Sequence, residues 1–295
     1  MKCRQLLPLL LAILLLAAAG SSQGAESRLE RIKRTNTLVV SHGESGIPFS
    51  YIDRNGPTGF GVDISQHVAD AIRQHLGLAD LKIRWNPVTL STRFPMIVTG
   101  TVDIECVTTT NTTARQKMVA FSNTFYISDE GIGVRRDSGI TNKAGLAGKR
   151  IAVVRGTSTE DRFKNDATLT GISLVSERNN RLAMAALAEG RADAYAAAAP
   201  IIAGELVRLK DASPFQILPT GGAKEAFGCM LPKDDPAFKK VVDEALAKMM
   251  TSGEMERIYI KWFMAPIPPY GRTVGMPLSE DNRKHYAAPN DIAME

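Results

Sequence analysis

The chain has 295 residues, 44% hydrophobic and 23% charged, with 24 Gly and 15 Pro. That balance excludes collagen-like, low-complexity and wholly disordered chains, and a formal net charge of +5 is too small and too scattered for a nucleic-acid-binding face. At this length, one large α/β unit or two lobes of roughly 100 to 130 residues are the natural expectations.

Met1–Gln5 is short and basic, Leu6–Ala19 is an apolar run interrupted only by Pro8, and small residues follow to Ser22. This is the pattern of a secretory signal over residues 1–25, cleaved after Ala19 or Ala25. The run falls short of the roughly 20 apolar residues a membrane span needs. Lys2 and Arg4 lie within it, so the remaining 270 residues carry 34 basic and 31 acidic side chains, a net +3. No later segment has the length and apolarity of a span, so an exported, soluble product is expected.

A polar stretch over Ser27–Arg34 precedes Thr37–Ser41, a buried strand, and a loop punctuated by Gly43, Gly46 and Pro48. Ser50–Asp53 reads as a strand ending in the Asn55-Gly56-Pro57 turn. Val62, Ile64, Val68, Ile72 and Leu76 recur at helical spacing, with Gly77 at the stop. Leu81–Trp85 is a strand, Thr92–Thr99 a short helix, and Val102–Cys106 a strand, followed by the hydroxyl-rich loop Val107–Thr113. A second βα series has strands at Gly131–Val134, Arg150–Val154, Ser173–Val175 and Ala192–Tyr195, with helices over Thr157–Lys164 and Arg181–Gly190. Ala226–Leu231 is a strand, Pro236–Met250 a helix, and Ile258–Phe263 closes the compact part. The tail beyond Pro266–Pro269 loses periodicity and is expected to wrap the surface or be partly mobile.

Cys3 lies in the signal. Cys106 and Cys229 remain, and an oxidising compartment permits one disulfide between them, two buried free thiols being the alternative. His42, His67, His75 and His285 are scattered without zinc-type spacing, and no nucleophile elbow or phosphate loop is present. No metal or cofactor is called for. Asp103 and Glu105 alternate onto one face of their strand, which points to a solvated or structural role. The residue types that stand out suit an anion: Thr108 and Thr110 on one side of an extended loop, Arg115 at a helix start beyond them, Arg93 in a separate segment, and Arg155-Gly156-Thr157-Ser158-Thr159 opening a helix.

The order of five strings is more specific than any of these alone: GFGVDISQHVADAIRQHLG (59–77), VDIECVTTTNTTARQKMVAFSNTFY (102–126), KRIAVVRGTSTED (149–161), RADAYAAAAP (191–200) and the segment AFGCML onward (226–263). Together they resemble the periplasmic polar-amino-acid-binding proteins of ABC importers (solute-binding protein family 3), and most of all the glutamate/aspartate-binding members. The resemblance implies an α/β, two-lobe periplasmic binding protein fold (type II), with the ligand in a cleft between lobes joined by two hinge strands. Lobe 1 would be 30–124 plus 227–295 and lobe 2 would be 125–226, which puts Cys106 and Cys229 in one lobe and favours their disulfide. It further implies that Arg115 grips a ligand α-carboxylate beside Thr108 and Thr110, that Arg93 serves an acidic side chain, and that Thr157, Ser158 and Asn180 contribute from lobe 2. The implied partners are a small carboxylate and an inner-membrane permease, with a monomeric receptor and no nucleic acid.

Two positions depart from the family pattern. Gly43 stands where acidic-ligand members carry another arginine, and Ala198 where amino-acid binders carry the aspartate that pairs with the ligand ammonium. Either Glu44 or Glu160 substitutes for that acid, or the ligand is an amine-free dicarboxylate or oxo acid. The other readings are a sensory module that docks on a receptor, and a dehydratase on the same fold, which needs a general acid in the cleft.

Overall fold

A computed structural model describes residues 26–294; the expected signal lies outside them. The strands are β1 (Thr37–His42), β2 (Ser45–Gly46), β3 (Ser50–Asp53), β4 (Gly56–Thr58), β5 (Lys82–Pro87), β6 (Ile104–Glu105), β7 (Ala120–Arg135), β8 (Arg150–Val154), β9 (Ser173–Glu177), β10 (Ala194–Ala198) and β11 (Phe215–Leu231). The helices are α1 (Arg28–Thr35), α2 (Phe60–His75), α3 (Arg93–Val98), α4 (Thr113–Gln116), α5 (Ser158–Asn165), α6 (Asn180–Ala188), α7 (Ala199–Arg208), α8 (Pro236–Thr251), α9 (Glu254–Tyr259) and α10 (Glu280–Ala287).

Eight strands form one sheet in the order β5-β1-β6-β11-β7-β10-β8-β9, and β2, β3 and β4 form a small antiparallel sheet. β1 runs parallel to β5 and β6 at one end, and β8 runs parallel to β9 and β10 at the other. Between the two parallel ends lie β7 and β11, 16 and 17 residues long and antiparallel, with a register shift between Pro219 and Lys224. Each serves one half of the molecule with its first residues and the other half with its last, which makes this pair the hinge.

Local chemistry sets the helix ends. Ser27 and Glu30 form a reciprocal capping box at α1. Asp235 accepts from Phe238 N and Pro236 opens α8, whose buried face carries Val241, Val242, Leu246 and Met249. Around α2 an aromatic cluster joins the elements: Phe49, Phe60, Tyr126 and Phe263 meet with ring centroids 5.0 to 6.3 Å apart. A separate apolar cluster, including Ile132, Val153, Phe163 and Ala196, belongs to the other half.

At four places the structure departs from the sequence reading or decides between its alternatives, each for a physical cause. The Val102–Cys106 strand shrinks to two residues, because only Ile104 and Glu105 find ladder partners. Of the two roles expected for Asp103 and Glu105, the structural one is found and not the solvated one: both are almost fully buried. Asp103 pairs with Arg28 and Arg31 and accepts from Val39 N, and Glu105 accepts from the Thr109 hydroxyl. Arg28–Thr35, read as a polar stretch, is a helix held by those ion pairs. The tail is ordered through residue 294: Asn282, His285 and Tyr286 of α10 bond to the backbone of Ile127, Thr124 and Phe125 on β7.

Candidate functional site

Two adjoining cavities lie where the halves meet. One, of about 30 Å³, is lined by Arg93, Thr108 and Thr110 from the first half and by Thr157, Ser158 and Asn180 from the second. Six of the seven ligand positions expected from sequence are therefore brought together. The other cavity, of about 290 Å³, shares Leu90, Arg93, Thr108 and Asn180, and adds Gly43, Glu44, Glu105 and Arg178.

Arg93 begins α3 and is 1% exposed. Its Nη1 donates to Thr108 O at 3.4 Å, and its Nε is buried with no partner among the described residues. Burial pushes its pKa down to about 10, with Glu105 as the strongest opposing charge, so the guanidinium stays charged at neutral pH. A buried cation with an unpartnered donor, lining two cavities, has the chemistry that an anion requires.

Arg115 sits differently. Thr112 caps the one-turn α4 by accepting from Arg115 N. The guanidinium lies 5.3 Å from the Phe94 ring centroid, with Arg93 at 5.6 Å from the same centroid. Arg115 does not line the first cavity. It donates to Thr110 O at 3.0 Å and across to Gly156 O at 3.4 Å, joining the hydroxyl loop to the start of α5. Burial lowers its pKa, and Glu225 and Asp161 oppose that.

The second half presents helix starts. Thr157 caps α5, accepting from Glu160 N at 3.1 Å and donating to Val154 O at 2.7 Å, so its hydroxyl is committed to the cap. Ser158 Oγ donates to Glu225 Oε1 at 2.6 Å, which leaves Thr110 Oγ1 as the donor in the 3.0 Å contact between the two hydroxyls. A hydroxyl chain thus crosses the cleft from Thr110 to Ser158 to Glu225. Asn180 opens α6 and accepts from the Tyr195 hydroxyl at 2.9 Å. Gly156, at φ +79°, admits this approach: a Cβ there would stand 3.2 Å from Leu90 O.

Ala196, Ala197 and Ala198 form an apolar wall of the first cavity, and Leu90, Phe227 and Glu225 are among its other lining residues. Glu225 is 3% exposed and was not singled out from sequence, nor were the charged residues clustered with it, Arg162 and Glu130. Arg162 Nη2 donates to Glu225 Oε1 at 2.6 Å and to Glu130 Oε1 at 2.7 Å. The signal was a carboxylate one residue ahead of the AFGCML strand. Glu160, expected as a stand-in acid, accepts from Gly156 N and Ser176 Oγ and does not line either cavity. Glu44 is exposed, on the second cavity.

Cys106, at the end of β6, and Cys229, on β11, form the disulfide, with Cα atoms 4.2 Å apart. Among the described residues no helix is long and apolar enough to cross a membrane.

The family model of the bacterial extracellular solute-binding proteins, family 3, matches residues 38–265. An L-glutamate/L-aspartate-binding protein of Pseudomonas aeruginosa is 36% identical over 285 residues, covering 95% of this chain and 94% of that protein. A glutamate/aspartate import solute-binding protein of Escherichia coli is 34% identical over 292 residues, covering 98% and 97%. Among solved structures, an ancestral amino acid-binding protein, described as a precursor of cyclohexadienyl dehydratase, superposes with a TM-score of 0.69 at 28% identity, covering 80% of this chain and 99% of that one. The fold is the two-lobe binding-protein fold, with the cavities between the lobes. The chain belongs to family 3 of the bacterial extracellular solute-binding proteins.

Proposed function

We propose that this protein captures a small carboxylate, an acidic amino acid such as glutamate or aspartate or a related dicarboxylate, and delivers it to an ABC permease in the inner membrane. The observation that carries this is Arg93, buried and charged at the junction of two cavities whose other polar groups come from both halves. A ligand held there favours closure because it touches both lobes at once. The relatives' ligands agree with that chemistry. Lobe 1 comprises 30–124 and 227–295, and lobe 2 comprises 125–226; the change of neighbours along β7 and β11 supports this division. The receptor acts as a monomer in the periplasm after losing residues 1–25, and Arg115 steadies the hydroxyl loop and meets a ligand carboxylate at its edge.

A thermal-shift screen tests the reading, since a ligand that binds only the folded state raises the melting temperature. Glutamate, aspartate or four- and five-carbon dicarboxylates should raise it, and neutral and basic amino acids should not. A response confined to neutral or basic amino acids would overturn the proposal. Docking of the loaded form on a sensory receptor would use the same closed surface.

The dehydratase reading has one observation in its favour, the buried carboxylate of Glu225 in a cavity with Arg93. Its Oε1 accepts from both Ser158 and Arg162, the arrangement of an acceptor and not of a poised proton donor. No turnover of a prephenate-like cyclohexadienyl acid is expected.

A further inference from the structure

The cavity has a positive pole in Arg93, and we infer that it also has a built negative pole: Glu225, held by Arg162 and Ser158, is the counter-charge for an amino group on the ligand. This rests on the carboxylate reading above and narrows it to an α-amino acid.

A protonated amine enclosed by methyl groups loses its hydration and gains nothing in return. The alanine wall at 196–198 offers no side-chain acceptor, so an amine needs an acid from another element. Three carboxylates fail the requirement. Glu44 is exposed on the neighbouring cavity, Glu160 has both oxygens bonded elsewhere, and Glu105 accepts the Thr109 hydroxyl on both of its oxygens. Glu225 meets it. It is buried, it lines the first cavity, and its two hydrogen bonds both fall on Oε1, leaving Oε2 without a bond among the described residues.

The charge around it is unbalanced in the right direction. Arg162 is one guanidinium shared by two buried carboxylates, Glu130 and Glu225, at 2.7 and 2.6 Å. Within that hydrogen-bonded cluster the carboxylates outnumber the guanidinium by one, and an ammonium is a ligand group that complements them. Burial pushes the Glu130 carboxyl up, against the pull of Arg162, as expected where two carboxylates compete for one cation. The sheet brings this cluster to the alanine wall: Ala198 pairs directly with Glu130 in the β10–β7 ladder, and directly opposed side chains stand on the same face with Cβ atoms about 4.5–5.5 Å apart. Glu225 also acts on both Arg93 and Arg115, opposing the effect of burial on each. The result is a dipolar site, with carboxylate recognition at Arg93 and amine recognition at Glu225.

Calorimetric titration of the mature chain with L-glutamate, L-aspartate, glutarate and succinate tests this without any mutation. Each amino acid should bind about tenfold tighter or more than the amine-free acid of the same length. Glu225→Gln should weaken glutamate binding by roughly 30-fold and reduce the preference for glutamate over glutarate. Glu130→Gln, whose side chain does not line the cavity, removes the same surplus charge and should lower the preference for the amine, which supplies the readout should Glu225→Gln not fold. Glutarate or succinate binding as tightly as its amino counterpart, or an amine preference unchanged in either folded variant, would overturn the assignment while the carboxylate reading stands. If none of the four acids binds, both fall.

Discussion

Arg93 and Arg115 look alike in the sequence and differ in the fold. Arg93 is fully buried, with a free Nε and a pKa brought down only to about 10, whereas Arg115 braces two backbone carbonyls on either side of the cleft. Arg93→Lys should therefore lower ligand affinity by roughly tenfold or more with unchanged far-UV circular dichroism, because an ammonium cannot reproduce a planar fork of donors; unaltered affinity in calorimetry would remove Arg93 from the site. Arg115→Ala should lower affinity with a much smaller loss of stability, and an unchanged dissociation constant would confine Arg115 to the loop. Thr108, Thr110 and the Arg155–Thr159 segment stood out because hydroxyls on an extended loop and at a helix start suit an anion, whereas Asn180 entered only through the family resemblance. Glu225 was not legible, because Arg162 and Glu130, clustered with it, lie 63 and 95 residues away, and only the pairing of distant strands turns three ordinary surface residue types into one buried cluster.

Among the elements, amphipathic helices were the easiest to read: α2, α5, α6 and α8 fall within two residues of the periodicity. β7 and β11 were read only in part, because a strand that changes lobes midway also changes its burial pattern. α7 was missed, since AAAAPIIAGELVR follows β10 without a break and Pro200 sits in the first turn, where a helix tolerates it, instead of marking a stop. This helix carries two testable features. A Cβ at Gly204 would lie 2.0 Å from Ile47 O, so Gly204→Ala should force α7 away from the β2–β3 loop and weaken ligand binding more than it alters secondary structure. Glu205 is buried with Oε1 unpartnered, and burial pushes its carboxyl up to about 7, against Arg208 and Arg181. Its folded pKa exceeds the unfolded value, so the folded state binds the extra proton. Its contribution to stability is highest below about pH 4.5 and falls as pH rises through 7, by about 3 kcal/mol. Melting temperatures measured from pH 5 to 8 should decline for the parent and flatten for Glu205→Gln; equal slopes would place the titration elsewhere.

Across the whole molecule, the two-lobe architecture was legible from the order of its motifs, while the ordered tail was not, because α10 is fixed by bonds to β7 and not by its own periodicity. The disulfide joins residues 123 apart, and chain-entropy reasoning gives such a ring about 4 to 5 kcal/mol. Cys106→Ser/Cys229→Ser should show that loss in denaturant unfolding, and reductant should reproduce it. The ring has another consequence. Residues 107–228, the whole of lobe 2 among them, lie inside it, while both chain ends lie outside. A protease cut at the exposed Gly221–Gly222 stretch of β11 therefore separates no mass: the two pieces should migrate as one band without reductant and as two with it, so a nicked receptor stays a single covalent molecule.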